Sequence, residues 1–159
     1  MTERPSVSIV RTRNAALVKA LFRRWHGTHP PPVGWLVAEI GKDEGGRYVG
    51  VQAWGHPNAR LEDQSGATIE HLRQACAPDH PKKFPSSFLR AGRERLLRER
   101  PEVKRFIAYV DGATHVGVTY RGDKWKRVSE AKGGSWTRKG RSRTSRPLKV
   151  RWKFEWRRP

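Results

Sequence analysis

The stretch FIAYVDGATHVGVTYRGDKW, residues 106–125, decides how the chain is read. Phe106, Ile107, Ala108, Tyr109 and Val110 form a short continuous apolar run, the pattern of a strand buried in a central sheet. Asp111-Gly112 closes the run with a turn, and a short helical segment follows, so that His115, Tyr120 and Trp125 come after the strand end. Polar side chains delivered at the end of a buried strand stand on a rigid frame beside a crevice, where ligand sites form. The same stretch also reads as a strand, a turn and a helix whose Tyr120 and Trp125 fill the core.

Upstream, Ser6 to Val10 reads as a strand. Asn14 caps a helix through Ala15, Leu17, Val18, Leu21, Phe22 and Trp25, which ends before Pro30-Pro31-Pro32. Between them, Trp25 to His29 (WHGTH) holds groups able to handle protons or stack on a base. Its two histidines lack a third ligand at metal-site spacing, so no metal is expected. Trp35 to Ile40 and Tyr48 to Trp54 form a hairpin around Lys42–Gly46, and Thr68 to Cys76 is a further strand with some polar alternation. Pro85 then opens a helix to about Arg100, with Phe88, Leu89, Gly92, Leu96 and Leu97 on one face. Arg90, Arg93, Arg95, Arg98 and Arg100 occupy the other. Lys82, Lys83, Ser86 and Ser87 at its start suit a phosphate, or serve as an ordinary cap beside a solvated basic face.

Charge is the strongest global signal. Lys and Arg number 34 against 15 Asp and Glu, a net +19, with a mean hydropathy of −0.84. Such an excess repels itself unless a polyanion screens it, which points to nucleic acid. No basic helix with a clean apolar face, no membrane-length apolar run and no secretory signal is present, which argues against a membrane partner. A single cysteine, Cys76, fits a reducing cytoplasm and reads as a small buried hydrophobe. From Lys126 onward thirteen Lys and Arg face two acids, which places +11 of the +19 there. Residues 137–147 form a basic loop containing Arg138, Lys139, Arg141 and Arg143. Leu148 to Arg157 then alternates apolar and mostly basic residues, a strand expected at the sheet edge, with Lys149 and Arg151 in a phosphate-tracking stripe.

The order strand, helix, three strands, helix, strand, helix, strand resembles the GNAT acyltransferase fold, a single α+β (α/β) domain with a mixed central sheet over residues 1–159. Several pieces are similar to the narrower group of phage and mobile-element proteins of the Mom DNA-modification type. They are Val49-Gly50-Val51 running into Gly55 to Arg60, Ile69 to Arg73 before Cys76, and Ser86 to Leu89. Tyr109-Val110-Asp111, His115 to Tyr120 with Trp125, and Gly134-Ser135-Trp136 with Lys149 and Trp152 complete the set.

This resemblance implies an enzyme that converts adenine N6 in double-stranded DNA to an acetamido (methylcarbamoyl) derivative. The donor would be acetyl-CoA or a related acyl-CoA, and the modification would protect phage DNA from restriction. It places catalytic roles on Asp111, Tyr120, Ser87 and His26, and implies a helix-start site for the acyl-CoA pyrophosphate. The fold's glycine-rich pyrophosphate loop is replaced here by Lys82-Lys83-Phe84-Pro85-Ser86-Ser87. Cofactor phosphates are therefore expected at Lys82, Lys83, Ser86 and Ser87, and Trp25 or Trp125 is expected to stack on an extruded base. A non-enzymatic DNA-binding module of the same fold, and an acyltransferase acting on a protein or small amine, stay open, as does assembly as a homodimer.

Overall fold

Seven strands make one mixed sheet, and the sequence rules that shape it also open a gap at its centre. In chain order the elements are β1 (Ser8–Thr12), α1 (Ala15–Trp25), β2 (Val37–Lys42), β3 (Tyr48–Gly55), β4 (Thr68–Cys76), α2 (Phe84–Glu99), β5 (Arg105–Asp111), α3 (Val118–Gly122), β6 (Lys126–Lys132) and β7 (Val150–Arg157). The sheet order is β1-β2-β3-β4-β5-β7-β6. All neighbours run antiparallel except β4 and β5. This computed structural model describes residues 6–26, 30–58, 62–111, 117–132 and 150–159. His115, Arg138, Lys139, Arg141, Arg143, Lys149 and the basic loop over 137–147 lie outside them. Among the described residues no helix is long and apolar enough to cross a membrane, and no group of three or more His, Cys, Asp or Glu could hold a metal ion.

Helix α1 forms as its pattern predicts: the Asn14 side chain accepts from the Leu17 backbone N–H at 3.1 Å, satisfying one orphan donor of the first turn. Its apolar stripe of Val18, Leu21 and Phe22 packs on Ala38, Ile40, Val51, Ala53 and Ala75 of one sheet face. Helices α2 and α3 cover the other face, over Trp54, Ile69, Phe106, Ala108 and Phe154. Cys76 is half-buried and its thiol is pushed up to about 12 by burial, which makes it inert at neutral pH.

Two expectations are corrected at the C-terminal side. The Val150–Arg157 strand lies inside the sheet, paired on one side with β5 and on the other with β6. The edge belongs to Lys126–Lys132 (KRVSEAK), which the sequence reading left without an element. A strand this charged suits an edge, because charge blunts pairing with other chains. The basic stripe on β7 is also partly neutralised: Lys153 pairs with Glu62, and Arg157 with Glu155.

The arginine face of α2 is corrected in one respect. Arg93 is 7% exposed, and its Nε and Nη2 donate to Asp123 at 2.8 and 2.9 Å. Its guanidinium also lies over the Trp156 ring, 4.2 Å from the centroid. Asp123 accepts further from Trp125 Nε1 at 2.9 Å and Arg90 Nε at 3.0 Å. This carboxylate, in the turn after α3, thereby ties α3 to α2. Burial alone would raise its pKa; the bonds from Arg93, Trp125 and Arg90 outweigh that and hold it below the usual carboxylate range.

Gly92 sits where α2 presses on the sheet. A Cβ there would stand 2.5 Å from Glu39 Oε1, 2.7 Å from Gln52 Nε2 and 2.9 Å from Trp54 Cζ2. In an open helix Gly→Ala gains up to ~1 kcal/mol. Here Gly92→Ala is expected to cost about 1–3 kcal/mol through overpacking, read from the urea midpoint. An unchanged or raised midpoint would mean that α2 shifts freely on the sheet.

Candidate functional site

Strands β4 and β5 pair at only three positions, Thr68–Arg105, Ile69–Phe106 and Glu70–Ile107. Beyond them β4 continues to Cys76 on its β3 partner, and β5 continues to Asp111 on its β7 partner. Each strand thus carries an edge that faces the other without ladder bonds, and the two define a wedge. Backbone donors and acceptors left this way favour an extended, amide-bearing ligand, because such a ligand can add main-chain-like hydrogen bonds.

The helical face of the wedge is closed by a buried polar chain. Gln52 Nε2 donates to Glu39 Oε1 at 3.2 Å and to the Phe88 carbonyl at 2.9 Å, which orients that amide. Its Oε1 accepts from Gln74 Nε2 at 3.2 Å and lies 3.1 Å from His71 Nε2. His71 Nε2 must therefore carry the proton, and Nδ1 is left as an acceptor for the Tyr120 hydroxyl at 2.8 Å. Burial drives the His71 pKa down to about 3, so the ring stays neutral. Burial first, and then the charge of Glu70, raise the Tyr120 phenol, so it keeps its proton. The far end of the chain is Glu39, 1% exposed and raised by burial against the bonds from Trp54 Nε1 and Gln52. Tyr120, carried by α3, stacks on Phe154 and so reaches the wedge across β5.

The opposite face presents carboxylates and cations. Strand β4 carries a bulge: His71 pairs with Trp54 but Arg73 pairs with Ala53, so Leu72 is the extra residue. In a regular strand residues 70 and 73 point to opposite faces; the bulge puts Glu70 and Arg73 on the same one. Glu70 stands at the last paired position, 5% exposed, and accepts the Asn58 backbone N–H at 3.1 Å. Burial raises its pKa to about 7; the Asn58 bond and Arg151 oppose that, and Glu62 adds to it. Across the wedge, Asp111 ends β5 on the same face, half-buried and in register with Arg151. Beside them Glu62 accepts from Arg105 Nη2 at 2.8 Å, from Tyr109 at 3.3 Å and from Lys153.

The sequence-predicted residues distribute as follows. Asp111 and Tyr120 both reach the wedge, one from each face. Ser86 donates its hydroxyl to the Thr119 carbonyl at 3.0 Å, which joins α2 to α3 and occupies that hydroxyl; Ser87 is exposed. Lys82 and Lys83 are exposed at the start of α2, where Lys83 takes a left-handed conformation at φ 66°. Trp125 is 3% exposed, packed by Phe106 and Tyr120, and is a core residue with no open face for a base. Trp25 is half-buried against the α1 core, and His26 is the half-buried C-cap of α1, its backbone N–H on the Phe22 carbonyl. Arg151 is exposed at the wedge rim. Glu70, His71 and Arg73 were not singled out. Glu70 and His71 stand as a polar pair among the buried residues that open β4, and Arg73 follows where the strand is half-buried.

No protein-family model matches the chain, and no curated protein matches it. Solved structures do. An IAA acetyltransferase from Bacillus cereus aligns with a TM-score of 0.67 at 14% identity, over 96% of this chain and 99% of its own. A Bacillus subtilis acetyltransferase in complex with CoA aligns at 0.69 and 8% identity, over 97% and 100%. The aminoglycoside acetyltransferase AAC(6')-Ib in complex with coenzyme A aligns at 0.65 and 15% identity, over 96% and 95%. At these identities the likeness is one of architecture, and the chain has the α+β fold of the GNAT acetyltransferases.

Proposed function

We propose that the protein is an acyl-CoA-dependent transferase whose acceptor is an amino group of nucleic acid, adenine N6 of double-stranded DNA, which the transfer would leave as an N6-acyl group. The observation that carries the reading is Glu70, a carboxyl raised to about 7, at the apex of the β4/β5 wedge with Tyr120 on the other face. Perturbed carboxyls in clefts mark acid–base sites. The CoA complexes of the similar structures support the donor. The residues present fit it: the unladdered edges of β4 and β5 suit its amide-bearing arm, and the exposed Lys82 and Lys83 beside α2 suit its phosphates. Acyl-CoA would supply an activated thioester carbonyl, and its thiolate would leave as the carbon–sulfur bond breaks and take up the proton that Glu70 accepts.

The remaining work falls to the chain. Adenine N6 is a weak nucleophile, because its lone pair is delocalised into the ring. Glu70 accepts its proton as the nitrogen attacks. Asp111, on the same face about 13 Å further along β5, contacts the acceptor away from its amine. Tyr120, its hydroxyl proton committed to His71 Nδ1, borders the wedge from the other face and offers an oxygen lone pair there. The net charge of +19 supports a polyanionic acceptor over a neutral small amine. Mass spectrometry of nucleosides from DNA of cells expressing the protein tests the reading. A modified deoxyadenosine is expected with wild type and absent with Glu70→Gln. Unmodified DNA, together with acyl transfer to a small amine in vitro, would replace the nucleic-acid acceptor by that amine.

A further inference from the structure

Arg73 is the described cation that the fold leaves hardest to explain. It stands on β4 beyond the last β4–β5 pair, half-buried, flanked on its face by Ala53 across the ladder and Ala75 along the strand. Both alanines belong to the apolar cluster under α1. Its Nη1 is buried without a hydrogen-bond partner, and among the described residues no carboxylate pairs with it. Burial alone shifts it, downward, with no anion to offset the loss of water. Arg93, more deeply buried, and Arg105, likewise half-buried, each hold a carboxylate at 2.8 Å.

A half-buried guanidinium without a counter-ion gains no ion pair for the water it loses, and a hydrophobic residue of similar volume would serve packing at least as well. Its retention next to a wedge therefore calls for an anion from outside the chain. The planar fork of an arginine matches a phosphate in two parallel hydrogen bonds. Location selects the source of that phosphate. The bulge at Leu72 puts Arg73 on the face of Glu70 and Asp111, where the attacked amine must lie. Lys82 and Lys83 stand instead at the start of α2, the helix covering the opposite sheet face.

We infer that Arg73 is a binding residue for a backbone phosphate of the nucleic-acid acceptor, the contact that sets the reactive nucleotide against Glu70. This rests on the nucleic-acid reading above. Backbone contacts fix register and orientation on DNA and carry no sequence information. The Arg73 contact therefore positions the target without choosing its neighbours.

Arg73→Met tests it through two readouts besides activity. Duplex affinity, measured across a salt series, should fall roughly tenfold at low salt, with the slope of log K against log salt smaller by about one. The urea midpoint should rise, because an uncompensated buried charge has been removed. Arg73→Lys should keep the slope and lose part of the affinity. The thermal shift given by coenzyme A should be the same in Arg73→Met as in wild type. Loss of that shift would assign Arg73 to the cofactor's phosphates and overturn the inference. An unchanged salt slope with a lowered urea midpoint would also overturn it, making Arg73 a packing residue. Wild-type protein that fails to bind duplex DNA would bring down the nucleic-acid reading and this inference together. Wild-type binding with an unaltered slope in Arg73→Met brings down this inference alone.

Discussion

Glu70→Gln is expected to lower transfer by about 10²–10⁴-fold, the usual contribution of a positioned general base. Glutamine keeps the shape and can still accept the Asn58 N–H, so folding and duplex affinity should stay near wild type. The pH profile separates chemistry from packing. The carboxyl must be ionised to take a proton, and its pKa stands near 7 because it is buried. Wild-type kcat/KM should therefore climb as pH rises through about 7 and level off above it, while the residual rate of Glu70→Gln stays flat through that window. Asp111→Asn is the natural comparison, since Asp111 occupies the same face at the end of β5. If Glu70→Gln retains full rate and profile while Asp111→Asn loses both, the base is Asp111. Full activity in both would remove the wedge from the chemistry.

Asp123→Asn is expected to cost about 3–5 kcal/mol of folding stability, because it leaves the Arg93 guanidinium buried and charged with half its partner gone. Equilibrium urea unfolding reads the loss directly. Two further outcomes follow from the geometry. Asp123→Asn combined with Arg93→Met should cost less than the two single changes added, since the groups share one interaction. The Asp123 contribution should also depend on pH in a defined direction. Its folded pKa is depressed, so the stabilisation is present above about 4, where the unfolded carboxyl ionises, and is lost as pH falls through the folded value. A loss under ~1 kcal/mol in Asp123→Asn would mean that Arg93 reaches water when unpaired.

How much of this could be read from the chain depends on how local the signal is. Helix α1 was legible to its cap because Asn14 and the Leu17 amide are three residues apart. Strands β5 and β7 were legible because a continuous apolar run and strict alternation are properties of the residues themselves. Strand β6 was not: KRVSEAK has neither pattern, and becomes a strand only by pairing with a partner eighteen or more residues further on. The role of Arg93 was hidden for the same reason, since Asp123 lies 30 residues away and nothing in the α2 sequence distinguishes Arg93 from Arg90 or Arg98. Asp111 was visible as the polar end of a buried strand, and Tyr120 as an aromatic in the helix after it. Glu70 and Arg73 were not, because strict alternation assigns them to opposite faces. A bulge is a property of the pairing of two strands and leaves no mark in either one.

The interior position of β7 also sets the order in which the molecule can be completed. Strands β1 to β4 join neighbours that are consecutive in the chain, and α1 packs on them. That half can close through short loops soon after synthesis, at small entropic cost. Strand β5 cannot. It has three pairs with β4, and its seven remaining pairs come from residues 151–157, forty or more residues later. While the ribosome still holds that segment, β5 and β6 wait as unpaired, aggregation-exposed edges beside a finished half-sheet. The second wall of the wedge is thus the last piece to arrive, and no nascent chain halted before residue 150 carries a competent site. Deletion of residues 150–157 should leave a foldable amino-terminal half that is bound by chaperones, rather than a weakened form of the whole sheet.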